Sequence, residues 1–210
     1  IQHAYVYICG VGFYDMYMNG RLVSDQLMNP ALSGYDKRLL YSCFDVSTRL
    51  KNGGNAIGIV LGNGRFFAPR KKVPVPMHDY GYPRALMQLH IQYSDGTKEI
   101  IITDEQWKAS ANGPIRANNE YDGEEYDARM EIPGWSNAGF NDREWKPAEI
   151  LPAPGGAMEA QLVEPIRITE VLKPRQLLQP KPGIWMVDFG QAFYGSVRLK
   201  VRGKRGTMVK

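Results

Sequence analysis

The chain has 210 residues, of which 43% are hydrophobic and 11% aromatic, enough for one or two packed domains. No apolar run approaches the ~20 residues that a bilayer-spanning helix needs, and 22 Gly with 14 Pro argue against long helices. The formal charge of +4 is localised: six of the 26 basic residues fall between Arg198 and Lys210, and the remaining 20 face 22 acidic ones, which argues against a nucleic-acid surface.

In chain order the recurring signal is period two. Ala4, Val6 and Ile8 alternate with Tyr5, Tyr7 and Cys9, which predicts a half-buried strand. Tyr14, Met16 and Met18 run into Asn19-Gly20 and then Arg21-Leu22-Val23. An Asn-Gly pair between such runs predicts a two-residue hairpin turn, because both central residues need positive φ. Asp45 to Leu50 can form one helical turn capped by Asp45, stopped by Gly53-Gly54. Ala56 to Leu61 is a continuous apolar run, suited to a covered strand. Leu86 to Tyr93 alternates again, and Asp95-Gly96 turns it back into Lys98 to Thr103. The fold class is therefore all-β: an antiparallel β-sandwich, jelly-roll-like.

The Pro- and Gly-rich stretch between Pro147 and Pro165 reads as a boundary. It divides the chain into a β-sandwich module over 1–165 and an incomplete second β-domain over 166–210. Strand-like pieces in the latter are Ile166 to Leu172, Ile184 to Phe189 and Ser196 to Val201. The chain starts at Ile1 without Met or a basic leader and ends in a strand-like run, as expected of a piece of a longer polypeptide. The compartment stays open, a periplasmic or extracellular one being favoured. Cys9 and Cys43 lie in separate strand-like runs, and either free thiols or one disulfide fits them. Arg70-Lys71-Lys72, flanked by prolines, reads as a solvated loop. Trp107, Trp135, Trp145 and Trp185 read as packing residues, with Trp135 on a loop edge.

Glu120 to Arg129 holds five carboxylates, two Tyr and a Gly. Such a segment is solvated, paired with cations or built around a site. In a strand, Glu125 and Asp127 would share a face about 7 Å apart, a spacing compatible with glycoside hydrolysis by inversion. Arg129 on the same face gives these carboxylates a structural partner instead. No catalytic residue is assigned on that reading.

Several segments, in order, resemble the N-terminal β-sandwich module of bacterial α-L-rhamnosidases. They are Tyr17 to Val23, Asn29 to Arg38, Asp45-Val46-Ser47, Gly54 to Gly58, Leu61 to Gly64, Asp104 to Ala109, Gly113-Pro114-Ile115 and Tyr121 to Arg129. Asp188-Phe189-Gly190-Gln191 resembles the start of the family's next, concanavalin-like β-domain. One departure bears on a site: where the family often has Trp after Gly-Asn-Gly, this chain has Arg65, followed by Phe66 and Phe67.

The resemblance implies that catalysis belongs to a helical barrel elsewhere in a longer, inverting glycoside hydrolase. It implies a carbohydrate-binding or scaffold role for this module, with L-rhamnose-containing carbohydrate and downstream domains of the same polypeptide as partners. It further implies a Ca²⁺ site formed by the carboxylates of Asp36 and Asp79 and the carbonyls of Lys37 and Pro83. Tyr80 and Tyr82, alternating with Gly81 in a turn-rich stretch, are sugar-stacking candidates because sugars expose apolar C–H faces, and Arg65 or Phe66 reshapes the platform. The other readings are a free-standing glycosidase using Glu124 to Asp127, and a protein-interaction β-module.

Overall fold

The alternation at the start of the chain becomes strand β1 (His3–Val11), in which Ala4, Val6 and Ile8 are fully buried and Tyr5 and Tyr7 face outward. The structure, a computed structural model, describes residues 1–68 and 80–209. Strand β2 (Phe13–Met18) buries Tyr14, Met16 and Met18 on one face. It turns through Asn19 and Gly20 into β3 (Arg21–Leu22), and the two turn residues have φ of 51° and 78°. The predicted hairpin is therefore present. The Asn19 side chain anchors the turn, donating to the Arg49 carbonyl at 3.0 Å and accepting from the Ala56 amide at 3.0 Å.

Strand β4 (Arg38–Asp45) pairs antiparallel with β1, and β5 (Ile57–Gly62) with β2. Strands β6 (Arg84–Gln92) and β7 (Lys98–Ile102) form the second predicted hairpin, and β6 lies antiparallel along the full length of β1. Short pairs follow: β8 (Lys108–Ala109) with β11 (Lys146–Pro147), and β9 (Ile115–Asn119) with β10 (Gly123–Tyr126). Strand β12 (Ala157–Ala160) completes a five-stranded sheet, β12-β4-β1-β6-β7, by pairing parallel to β4. The sheet β3-β2-β5 faces it.

The core lies between these two sheets. Ala4, Val6, Ile8, Met87, Leu89 and Ile91 meet Tyr14, Met16 and Met18, with Ile57, Ile59 and Trp107 packed at the edge. Each fully buried aliphatic side chain is worth about 1.5–3 kcal/mol here. The all-β sandwich read from the alternation is thus the observed architecture. Contacts divide the chain into a unit Ile1–Arg167 and a unit Ile168–Lys210. The second unit holds one hairpin, β13 (Gln176–Lys181) and β14 (Ile184–Asp188).

Some local expectations are corrected. Residues 47–49 form a turn after β4, not helix: the Asp45 carboxylate accepts from the Ser47 amide at 2.9 Å and its hydroxyl at 2.6 Å, so the side chain closes the turn. Ile166 to Leu172 and Ser196 to Val201 are not strands; Ile166 makes only an isolated bridge to Leu27. Trp185 is 60% exposed on β14 rather than packed. Both cysteines are free, Cys9 buried and Cys43 exposed.

Trp135 does sit on a loop edge, 5.3 Å from the Tyr17 ring. It covers Gly58 so closely that a Cβ there would lie 2.2 Å from the indole. Gly58→Ala must push the ring away, and overpacking of this kind costs about 1–3 kcal/mol. The denaturation midpoint of that variant should fall; an unchanged midpoint would mean that Trp135 does not pack on β5.

Candidate functional site

Two connections meet at one end of the sandwich, the one before β4 and the long one that leads from β5 to β6. In the one before β4, the amides of Lys37 and Arg38 both donate to the Gly34 carbonyl at 2.8 Å, and Ser33 Oγ donates to the Arg38 carbonyl at 2.7 Å. This tight turn buries Tyr35 and presents Asp36 and Lys37 to solvent. In the one after β5, Gly64 takes a φ of 53°, and the Phe67 amide donates to the Asn63 carbonyl at 3.2 Å. The far end of that same connection, before β6, is tied back to its start where the Tyr80 amide donates to the Phe66 carbonyl at 3.1 Å.

An aromatic cluster joins the two. Tyr35 meets Phe66 edge-on at 5.1 Å and Tyr80 at 5.3 Å, while Phe66 and Tyr80 stack at 5.6 Å. Such geometries are the preferred ones for ring quadrupoles. The Arg84 guanidinium lies 5.7 Å from the Phe66 ring centroid and donates to the Pro152 carbonyl at 2.6 Å. Tyr82 is 71% exposed and leans on Phe67 at 4.8 Å.

This end gathers Asp36, Lys37, Arg65, Phe66, Tyr80, Tyr82 and Pro83 from the expected set. Asp79, with Arg70, Lys71 and Lys72, lies outside the described residues. One expectation is corrected. Phe66 is 0% exposed, covered by Tyr35, Tyr80 and Arg84, so its ring supports the site from beneath and cannot stack on a sugar. Among the described residues no three His, Cys, Asp or Glu side chains converge as a metal site. Asp36 therefore contributes one carboxylate, and the donors named with it are all hard oxygens, the type Ca²⁺ takes.

Sequence reasoning missed Tyr35 and Glu120. Tyr35 stands inside the quoted Gly34-Tyr35-Asp36 turn, so its position was readable. Glu120 was not, because it reaches this end through a distant contact, its amide donating to the Gly64 carbonyl at 3.2 Å. Burial, then the charge of Glu120, pushes the Tyr35 hydroxyl up from 10.0 to about 12, and Arg65 opposes that shift.

Burial likewise pushes Tyr14 up to about 12 and Cys9 from 9.0 to about 11. The unfolded chain releases these protons first, so the folded state binds more protons in that range. Stability is fully present below about pH 9 and falls as pH rises toward 12. A denaturation midpoint that holds between pH 9 and 11.5 would contradict this burial.

The acidic segment resolves into separate structural pairs. Strand β10 carries an irregularity between Glu125 and Tyr126, so Glu125 and Asp127 do not share a strand face. Asp127 instead caps the 3₁₀ turn Ala128–Met130, accepting from the Arg129 amide at 3.0 Å. It also receives Arg129 Nε at 2.8 Å and Nη2 at 2.6 Å, a bidentate pair. Those hydrogen bonds hold the Asp127 carboxyl down at about 2. Asn118 Nδ2 donates to Glu124 at 3.0 Å, and the Tyr126 hydroxyl to Glu131 at 2.7 Å. In Arg129→Ala the Asp127 carboxyl should titrate upward from about 2 toward its ordinary 3.8, short of it because the backbone amide of residue 129 still donates. The pair's contribution is present above 3.8 and lost as pH falls through about 2, so wild type and variant should differ in stability at neutral pH and converge in strong acid. Carboxyl NMR titration checks this; an unmoved Asp127 would deny the pairing.

An all-β sandwich with an aromatic-walled loop end and an Arg-locked acidic hairpin defines the module. Residues 1–170 match the α-L-rhamnosidase N-terminal domain, and the chain belongs to that family. It is 37% identical over 215 residues to an α-L-rhamnosidase of Formosa agariphila, and 37% identical over 220 residues to one of Streptomyces avermitilis. Both alignments cover 100% of this chain but only 22% and 20% of the relatives, so the chain spans about a fifth of their length. Among solved structures, the α-L-rhamnosidase of Dictyoglumus thermophilum superposes with a TM-score of 0.81 at 41% identity, over 91% of this chain and 21% of its own. That of Streptomyces avermitilis, complexed with L-rhamnose, gives 0.82 at 34% identity, over 90% and 18%.

Proposed function

We propose that the chain is a non-catalytic carbohydrate-binding module of a longer, inverting α-L-rhamnosidase, and that it takes L-rhamnose at the loop end of the sandwich. The observation that carries this reading is the meeting of two connections over the Tyr35–Phe66–Tyr80 cluster, with Asp36 and Tyr82 left exposed at its rim. The apolar C–H face of the sugar packs on Tyr82, with Tyr80 as a second wall. Asp36, Asp79 and the carbonyls of Lys37 and Pro83 would hold Ca²⁺, which supplies a hard cation for vicinal hydroxyls. The L-rhamnose complex of the Streptomyces avermitilis relative makes this sugar the ligand to test.

The catalytic reading has one observation in its favour. The Asp15 carboxyl is pushed upward, first by burial and then by the charge of Glu124, the direction that suits a general acid. Within the acidic segment, Glu124 accepts from Asn118 and Asp127 is paired with Arg129. Two assays separate the readings. The chain should be retarded by immobilised L-rhamnose and should release no aryl group from an aryl α-L-rhamnoside. Turnover that Glu124→Gln abolishes would establish the glycosidase, and loss of retardation would leave a scaffold.

A further inference from the structure

We infer that Glu120 and Arg65 form a metal-independent polar edge of this site, Glu120 accepting and Arg65 donating hydrogen bonds to neighbouring hydroxyls of the bound sugar. The inference rests on the sugar-binding reading above. Three observations carry it. First, the Glu120 amide is bonded to the Gly64 carbonyl at 3.2 Å, which sets residue 120 beside the backbone that leads into Arg65. Second, both side chains are exposed, and among the described residues neither is in an ion pair, so their hydrogen-bonding groups are not spent on each other. Third, both charges act on the hydroxyl of Tyr35, whose ring packs against Phe66 and Tyr80, so the two groups flank the aromatic cluster that walls the site.

The chemistry of the pair selects its ligand. A carboxylate only accepts and a guanidinium only donates, whereas a sugar hydroxyl does both. Adjacent hydroxyls can therefore bridge the two charges, each through a charge-assisted bond. One positive and one negative group leave no net charge, so the edge favours a neutral polyhydroxylated ring over an anionic one. An Arg at 65 in place of a second aromatic ring exchanges stacking area for a directional donor.

The test is calorimetry of the whole chain with L-rhamnose, in Ca²⁺ and in chelator, for wild type, Glu120→Ala, Arg65→Ala and Asp36→Ala. Each of the first two variants should weaken binding about tenfold in both buffers, the equivalent of one charge-assisted bond. Asp36→Ala should remove only the metal-dependent part. Titration with mono-deoxy analogues of methyl α-L-rhamnoside adds a readout that a structural role would not move: the penalty for one missing hydroxyl should disappear in Glu120→Ala. Wild-type binding with Glu120→Ala and Arg65→Ala both within about twofold of it would overturn this inference and leave the sugar site standing. No binding by wild type would remove the site itself, and the edge with it.

Discussion

Phe66→Ala should destabilise the sandwich by about 3–5 kcal/mol and erase its response to sugar. Phe66 is fully buried and supports the loop end from below, stacked on Tyr80 at 5.6 Å and edge-on to Tyr35 at 5.1 Å. Removing the ring leaves a cavity and frees both tyrosines. It also withdraws the surface under Arg84, whose guanidinium is 5.7 Å from the ring centroid. Phe66→Leu keeps most of the volume and should retain both fold and binding at reduced affinity. A Phe66→Ala protein with an unmoved denaturation midpoint would show that the cluster is not a packed unit.

Asp36→Ala should have the opposite profile. Asp36 is exposed and makes no ion pair among the described residues, so stability should stay within about 0.5 kcal/mol of wild type. Ca²⁺-dependent binding should fall by more than the roughly 10- to 100-fold that loss of an outer partner costs a metal site. Ca²⁺ should then no longer raise the melting temperature, since a ligand stabilises only through the state it binds. A variant that keeps its calcium response would place the metal elsewhere.

The parts of the fold that were legible are those in which local chemistry and packing agree. Val6, Ile8, Met87 and Leu89 alternate with polar or aromatic outward residues, and a one-residue slip would turn the whole set to solvent. Asn19-Gly20 fixes its hairpin by backbone geometry alone. Strand β12 was hidden by its Pro- and Gly-rich setting, and its parallel partner β4 is far away in sequence. Asp45 was misjudged because the same carboxylate can cap a helix or close a turn, and here Ser47 supplies the turn.

At the site, Asp36 and Arg65 were named on the strength of the family pattern and Tyr80 and Tyr82 from their turn-rich setting, and the fold brings them to one end. Adjacent aromatics cannot reveal by sequence which one faces inward. Phe66 is the buried one, and Phe67 meets Tyr82. Glu120 depends on a contact between β9's following turn and the loop after β5, which no local pattern encodes. The acidic hairpin was read correctly in kind, with Arg129 as the partner, but the irregularity after Glu125 reassigns that partner to Asp127 alone.

The most direct measurement is titration calorimetry of the chain with L-rhamnose, in millimolar Ca²⁺ and then in excess chelator. A shallow site with few contacts predicts a dissociation constant between about 10 μM and 1 mM with the metal, and a clear weakening when the metal is withdrawn. No heat for L-rhamnose in millimolar Ca²⁺, at protein concentrations able to detect millimolar binding, would contradict the sugar-binding reading.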